Sequence, residues 1–226
     1  MTQKWPSNLV LVRHGETLIN MERNRLKKKP TKELIIKTPC RDMDIPLTKQ
    51  GIKQARAAGK ILKKYPKFDI SLVSPYVRAK QTANIIIKEL GYKPKIVFEE
   101  RIREKDYGIF DKYTQKGKKK YYPKEVEREK WEGKYYYRIP GGENYPDVAL
   151  RAHSVLDTVV REYAKKNVLI VSHSIVILLF RKLLERLSEK EILDIHTNQK
   201  LKNCSITHFT YNKIKNKLLL KKWNKT

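Results

Sequence analysis

The sequence predicts an α/β fold: a mainly parallel central sheet with helices on both faces. Three observations predict it. Short, β-branched apolar runs recur at 8–13 (NLVLVR), 69–74 (DISLVS) and 167–172 (NVLIVS). Uninterrupted apolar runs of that length suit strands covered on both faces, as parallel strands are. Each run is followed by a helix-like stretch, and alternating strands and helices build a parallel sheet.

The elements follow in order. Residues 8–13 form the first strand, and residues 21–46 are polar, basic and irregular. Thr48 is a helix N-cap, with Ile52, Ala55, Ala58, Ile61, Leu62 and Tyr65 at helical spacing behind it. Residues 69–74 are the second strand. Ser74-Pro75 opens the next helix, with the cap at Ser74 and proline at the first helical position. Gly91 ends that helix, and residues 95–98 are a short third strand. Residues 99–144 are the least regular part and read as an insertion with one or two helices that caps the site. A long amphipathic helix covers 145–164, a fourth strand 167–172, and a helix runs on through Leu187. The runs 205–211 and 217–223 form a closing hairpin with its turn at 212–216. The whole chain, 1–226, is expected to be one domain.

Composition narrows the class. With 226 residues and 40% hydrophobic content, the chain can bury roughly 70% of its unfolded surface, so it is not disordered in bulk. The longest apolar run, Ile175 to Phe180, falls far short of the ~20 residues of a membrane span. Cys40 and Cys204 have neither a disulfide-framework nor a zinc-ligand spacing. A soluble, reduced, cytoplasmic protein is expected, with no membrane partner and no cofactor or metal. Lys+Arg number 51 against 24 Asp+Glu, a formal net charge of +27. Such a surface attracts nucleic acid, anionic membranes or phosphorylated ligands. Lysine is nevertheless scattered from Lys4 to Lys225, which also fits a lysine-biased composition. The densest runs are Lys27-Lys28-Lys29 and Lys118-Lys119-Lys120, both placed in loops or loop edges.

Ligands of open α/β sheets bind beyond the carboxyl ends of the strands. Strand one delivers Arg13-His14-Gly15-Glu16-Thr17 there, strand two Ser74 to Arg78, strand three leads to Arg103-Glu104, and strand four delivers Ser172-His173-Ser174. Histidines, arginines and a carboxylate on one rim suit phosphoryl transfer. Arginine holds phosphate oxygens bidentately, imidazole can attack phosphorus, and a carboxylic acid can protonate the leaving oxygen.

The stretch Leu9-Val10-Leu11-Val12-Arg13-His14-Gly15-Glu16-Thr17, with Asn20 just beyond, resembles the opening motif of the histidine phosphatase superfamily, the phosphoglycerate mutase-like fold. The resemblance continues through Pro46-Leu47-Thr48 to Gly51, Ser74-Pro75-Tyr76-Val77-Arg78, Arg103 to Gly108, Pro140-Gly141-Gly142-Glu143 and Val168 to His173. These blocks stand in family order along nearly the whole chain. The resemblance implies that His14 is the nucleophile, Glu104 the proton donor and His173 a further catalytic residue. Arg13, Arg78, Asn20 and Ser174 would bind substrate, and the family needs no metal. His153, His196 and His208 match no motif position and read as structural. The run Tyr135-Tyr136-Tyr137-Arg138 either lines a pocket or packs within the cap.

Within the superfamily the chain is similar to the phosphatase branch. It keeps Tyr107-Gly108 but continues Ile109-Phe110-Asp111-Lys112, where cofactor-dependent mutases carry Gly-Leu-Asn-Lys. Mutases and fructose-2,6-bisphosphatases generally have arginine five positions after the second histidine; here that position is Leu178. Ser174 replaces the bisphosphatase glutamine. The expected function is therefore a metal-independent phosphomonoesterase of the histidine acid phosphatase type, acting through phosphohistidine on a phosphorylated small molecule or phosphoprotein. The alternatives are a cofactor-dependent phosphoglycerate mutase and, in another class, a basic phosphate- or nucleic-acid-binding protein without catalysis. The chain shows no nucleic-acid-binding motif that would favour the last.

Overall fold

The computed structural model describes residues 3–28 and 32–226. Its six-stranded sheet has the order β3-β2-β4-β1-β5-β6. The strands are β1 (Asn8–Arg13), β2 (Ile70–Val73), β3 (Lys95–Phe98), β4 (Asn167–Ser172), β5 (Ile206–Asn212) and β6 (Lys217–Lys225). The first four are parallel; β5 and β6 add an antiparallel hairpin on one side.

Side chains alternate across a strand, so each central strand feeds two cores. Leu9 and Leu11 of β1, with Val168 and Ile170 of β4, pack against α6 (Tyr145–Glu162) and α7 (Ser174–Glu185). Val10, Val12, Leu169 and Val171 face α2 (Lys49–Leu62) and α3 (Val77–Leu90). Both faces are therefore covered, and this is why these strands read as continuous apolar runs. Thr48 caps α2 by accepting the Gly51 N–H at 3.0 Å. Gly91 closes α3 at φ +77°, the left-handed conformation in which glycine has no Cβ penalty. Asn144 and Asp147 form a capping box at the start of α6. No helix among the described residues is long and apolar enough to cross a membrane.

Several expectations are corrected. Residues 21–46 are not irregular throughout, because α1 spans Leu18–Lys28. Arg25 pairs with Glu22 on the solvent face of this helix (2.7 Å), and the charged residues dilute its apolar period. Lys27 and Lys28 close that helix rather than lying in a loop, and Lys29 falls outside the described residues. Lys118, Lys119 and Lys120 likewise lie in a helix, α4 (Gln115–Tyr121), which is followed by α5 (Pro123–Glu132). The helix after β2 begins at Val77, not Pro75, and Tyr76 occupies the N-cap position without a side-chain bond. Finally, an unexpected helix, α8 (Glu189–Asn198), follows α7. Ser188 and Glu191 form its capping box, and Ile192 and Ile195 turn into the core. Ile52, assigned to the apolar face of α2, is 36% exposed; Ala55, Ala58 and Leu62 carry that face. The insertion has its own small core of Phe110, Tyr137 and Ile139.

One close contact joins the loop after β1 to α2. A Cβ on Gly51 would sit 2.2 Å from the Glu16 carbonyl oxygen, so only glycine lets the two backbones meet. Thr48→Ala is expected to cost about 1 kcal/mol through the lost cap. Gly51→Ala should cost more, because backbone rather than side chain must give way. Urea midpoints should thus fall in the order wild type, Thr48→Ala, Gly51→Ala; equal midpoints for the last two would contradict the contact.

Candidate active site

The parallel pairing of β1 with β4 sets Arg13 opposite Ser172, so the residues that follow each strand emerge side by side. The His14 N–H donates to the Ser172 carbonyl at 2.9 Å, and the two imidazoles, His14 and His173, lie 5.1 Å apart between ring centroids. Arg78 sits in the first turn of α3. Glu104 follows the 3-10 turn Glu100–Ile102, which Ser172 anchors by donating its hydroxyl to the Ile102 carbonyl at 2.8 Å. Ser174 opens α7, and its hydroxyl lies 3.4 Å from Glu104 Oε2. Arg13, His14, Asn20, Arg78, Glu104 and Ser174 line one small cavity of about 50 Å³. His173 is not part of that lining; it is fully buried, with its ring beside that of His14. Six of the seven expected site residues thus share one cavity, and the seventh supports it. His153 is exposed, His208 bonds Asn8 (2.8 Å) in the sheet, and His196 contacts the Tyr145 hydroxyl (2.6 Å).

The hydrogen bonds fix the protons. His14 Nδ1 lies 2.7 Å from the Gly15 carbonyl oxygen, which only accepts, so Nδ1 carries the proton and Nε2 keeps its lone pair. Ser74, expected as a helix cap, instead places its hydroxyl 2.7 Å from His173 Nε2. It also accepts the Tyr76 N–H (3.4 Å). His173 Nδ1 and Arg13 Nε are buried with no hydrogen-bond partner among the described residues. A buried donor left unpaired costs about 1–3 kcal/mol, and an anion's oxygen is a natural acceptor for the Arg13 Nε–H.

Burial and two guanidinium groups set the charges. Burial, reinforced by Arg78 and Arg13, pushes the His14 pKa well below the usual imidazole value. Burial and Arg78 do the same to His173. Burial raises Glu104, against the opposing pull of the Lys105 N–H, Arg78 and Arg13, so the acid retains its proton better than an exposed glutamate. Burial draws Arg13 down to about 10, still cationic at neutral pH.

Three positioning groups carried no signal in the sequence reading. Asp42, from the 3-10 turn Asp42–Asp44, receives Arg78 through both its backbone carbonyl and Oδ2 (2.9 Å for the latter). Thr82 accepts the Gly15 N–H at 3.0 Å and donates to the Arg78 carbonyl at 2.7 Å. Asn203 donates to the His14 carbonyl (3.1 Å) and to Asn20 Oδ1 (3.0 Å), which also accepts the Thr17 N–H (3.3 Å). With its oxygen so engaged, Asn20 has its N–H groups left for the cavity it lines. The partners Arg78 of Asp42, Gly15 of Thr82 and His14 of Asn203 lie 36 or more positions away, beyond any local pattern.

Two compartments flank the cavity, and Arg23 and Tyr107 border all three spaces. On one side is a polar pocket of about 180 Å³ that includes Asn24, Leu178, Gln199 and Trp223. On the other is a more apolar cleft of about 430 Å³, walled by Leu26, Ile36, Phe110 and Tyr113. Tyr135 and Tyr137 line neither; both are buried in packing. Lys118 borders the cleft with its ammonium 4.4 Å from the Phe110 ring centroid. Among the described residues no cluster of His, Cys, Asp and Glu is placed to hold a metal ion.

The family model of the histidine phosphatase superfamily (branch 1) matches residues 9–226. The chain belongs to this superfamily. A 2,3-bisphosphoglycerate-dependent phosphoglycerate mutase of Methylobacterium radiotolerans is 31% identical over 192 residues, covering 83% of each chain. Among solved structures, mycobacterial glucosyl-3-phosphoglycerate phosphatase in complex with VO3 superposes with a TM-score of 0.72 at 22% identity, over 97% of this chain and 100% of that one. The α-ribazole phosphatase of Shigella flexneri gives 0.76 at 19% identity, over 96% of both. At such identities the structures establish the shared phosphoglycerate mutase-like fold, and the family model places the chain among phosphatases and mutases.

The depressed imidazole pKa values have a testable consequence. An unfolded histidine takes up a proton as the pH falls through about 6.5, whereas His14 and His173 in the folded state do not. The unfolded chain then binds more protons, so stability is retained above pH 6.5 and declines below it. The NMR ring signals of both residues should stay flat from about pH 8 to 5.5; titration near 6.5 would refute the electrostatic account.

Proposed function

We propose that the protein is a metal-independent phosphomonoesterase that works through a phosphohistidine on His14. The observation that carries this reading is the His14 Nε2 lone pair, held in a cavity walled by Arg13 and Arg78. In the first step Nε2 attacks phosphorus, the P–O bond to the leaving group breaks, and Glu104 gives its proton to that oxygen. Arg13 and Arg78 offset the charge on the transferring group. In the second step water attacks the phosphohistidine, the P–N bond breaks, and the Glu104 carboxylate takes the water proton. Glu104 is thereby an acid once and a base once.

Hydrolysis rather than mutase transfer is supported by two departures. Leu178, which borders the polar pocket, stands where mutases generally carry arginine, and Phe110 belongs to the cap core where they have a Gly-Leu-Asn-Lys segment. The second reading, a 2,3-bisphosphoglycerate-dependent mutase, is favoured by the 31% identical relative that bears that name. The substrate of the first reading is a phosphorylated small molecule, with a phosphoprotein as the other candidate, and a cytoplasmic setting fits both.

Hydrolysis of p-nitrophenyl phosphate should persist in EDTA, and 3-phosphoglycerate with 2,3-bisphosphoglycerate should be isomerised more slowly than p-nitrophenyl phosphate is hydrolysed; the reverse order would favour the mutase. His14→Ala should lower kcat by on the order of 10³ or more, since no second nucleophile can replace the covalent step. Glu104→Gln should slow alkyl phosphates by on the order of 10² and p-nitrophenyl phosphate far less, because nitrophenolate leaves without a proton. Equal losses on the two esters would move the acid role away from Glu104.

A further inference from the structure

A carboxylate faces the phosphoryl cavity alongside the two arginines. Asp42 lines the same space as Arg13, His14, Arg78 and Glu104. Its Oδ2 and backbone carbonyl take two of the five N–H donors of Arg78, which is 5% exposed. The other Arg78 donors are left for an anion. No donor among the described residues engages Asp42 Oδ1. An ionised carboxylate only accepts hydrogen bonds, so an oxyanion without a proton meets Asp42 as a like charge. A phosphoryl group that keeps one proton can instead donate P–O–H to it, forming a short charge-assisted bond. Glu104, the other carboxyl group of the cavity, is driven towards its protonated form by burial.

We propose that Asp42 is a specificity-determining residue that accepts a hydrogen bond from a singly protonated phosphoryl group, so that the site selects phosphomonoester monoanions over fully deprotonated oxyanions such as sulfate. The proposal rests on the reading of this cavity as the phosphoryl site, but it goes beyond that reading, which requires only the arginines and His14. Its chemistry is narrow. Phosphate monoesters have a second pKa of about 6, so the protonated form is plentiful in mildly acidic to neutral solution, whereas sulfate offers no proton there.

The 3-10 turn that carries Asp42 buries no side chain, so substitution there leaves the core intact. Asp42→Asn keeps an acceptor for Arg78 and adds donor N–H groups. The test is calorimetric titration of the full chain with inorganic phosphate and with sulfate at about pH 6, which requires no turnover. Wild type should bind phosphate at least about tenfold more tightly than sulfate, since a site built around one hydrogen bond rejects the analogue that lacks it. In Asp42→Asn the two affinities should converge to within about threefold, chiefly through tighter sulfate. Asp42→Ala, with thermal melting as a folding control, should also lose the discrimination. An unchanged phosphate-to-sulfate ratio in both variants would overturn the proposal. Equal weakening of both anions would also overturn it, since Asp42 would then only position Arg78. Strong phosphate binding without any ester hydrolysis would count against the phosphatase reading and leave the Asp42 result to be judged by the ratio.

Discussion

The register between β1 and β4 is the constraint on which the site depends. Parallel strands in register end together, so Arg13 and Ser172 pair and the next residues, His14 and His173, leave the sheet as neighbours. A one-residue slip would invert the side-chain faces of β4 and separate the imidazoles. The register is held by burial on both sides: Leu9 and Leu11 commit β1 to one core, Val10 and Val12 to the other. The apolar packing that folds the protein is thus the same packing that aligns its reactive groups.

Around that pair the protein surrounds neutral imidazoles with fixed cations. His14 lies between Arg13 and Arg78, and burial makes its protonation unfavourable. A neutral ring with its proton held by the Gly15 carbonyl is the form that can use a lone pair. The arginines are themselves held: Arg13 donates to the Leu201 carbonyl at 2.5 Å, and Arg78 is held by Asp42. Such tethering spends orientation entropy during folding rather than during the reaction. Ser74 shows the same logic, since its hydroxyl bonds the His173 ring instead of capping the helix.

The insertion gives the site its surroundings. Its small core of Phe110, Tyr137 and Ile139 sets the wall of the apolar cleft, while Tyr107 and Arg23 divide that cleft from the polar pocket. The Arg23 guanidinium lies 5.6 Å from the Tyr107 ring centroid, a cation–π distance that ties α1 to the insertion at this partition. The floor of the cavity therefore comes from the sheet, and the compartments beside it are walled by α1, the insertion and the C-terminal segments.

The sequence by itself determined the strands, because β1 and β4 are buried on both faces and their short, β-branched-rich apolar runs are each followed by a helix-like stretch. It also placed Arg13, His14, Arg78, Glu104 and His173 near one another, because residues that leave the carboxyl ends of neighbouring parallel strands emerge at one rim. It did not determine α1, whose apolar spacing is diluted by surface charge, although the Ser188–Glu191 cap of α8 was a readable local signal. Only the tertiary structure decided what Ser74, Asp42, Thr82 and Asn203 do. Each is defined by a partner distant along the chain: Ser74 by His173, Asp42 by Arg78, Thr82 by Gly15 and Asn203 by His14. Hydrophobic periodicity repeats along the chain and can be read from it, whereas a hydrogen bond between remote polar groups exists only once packing has brought them within about 3 Å.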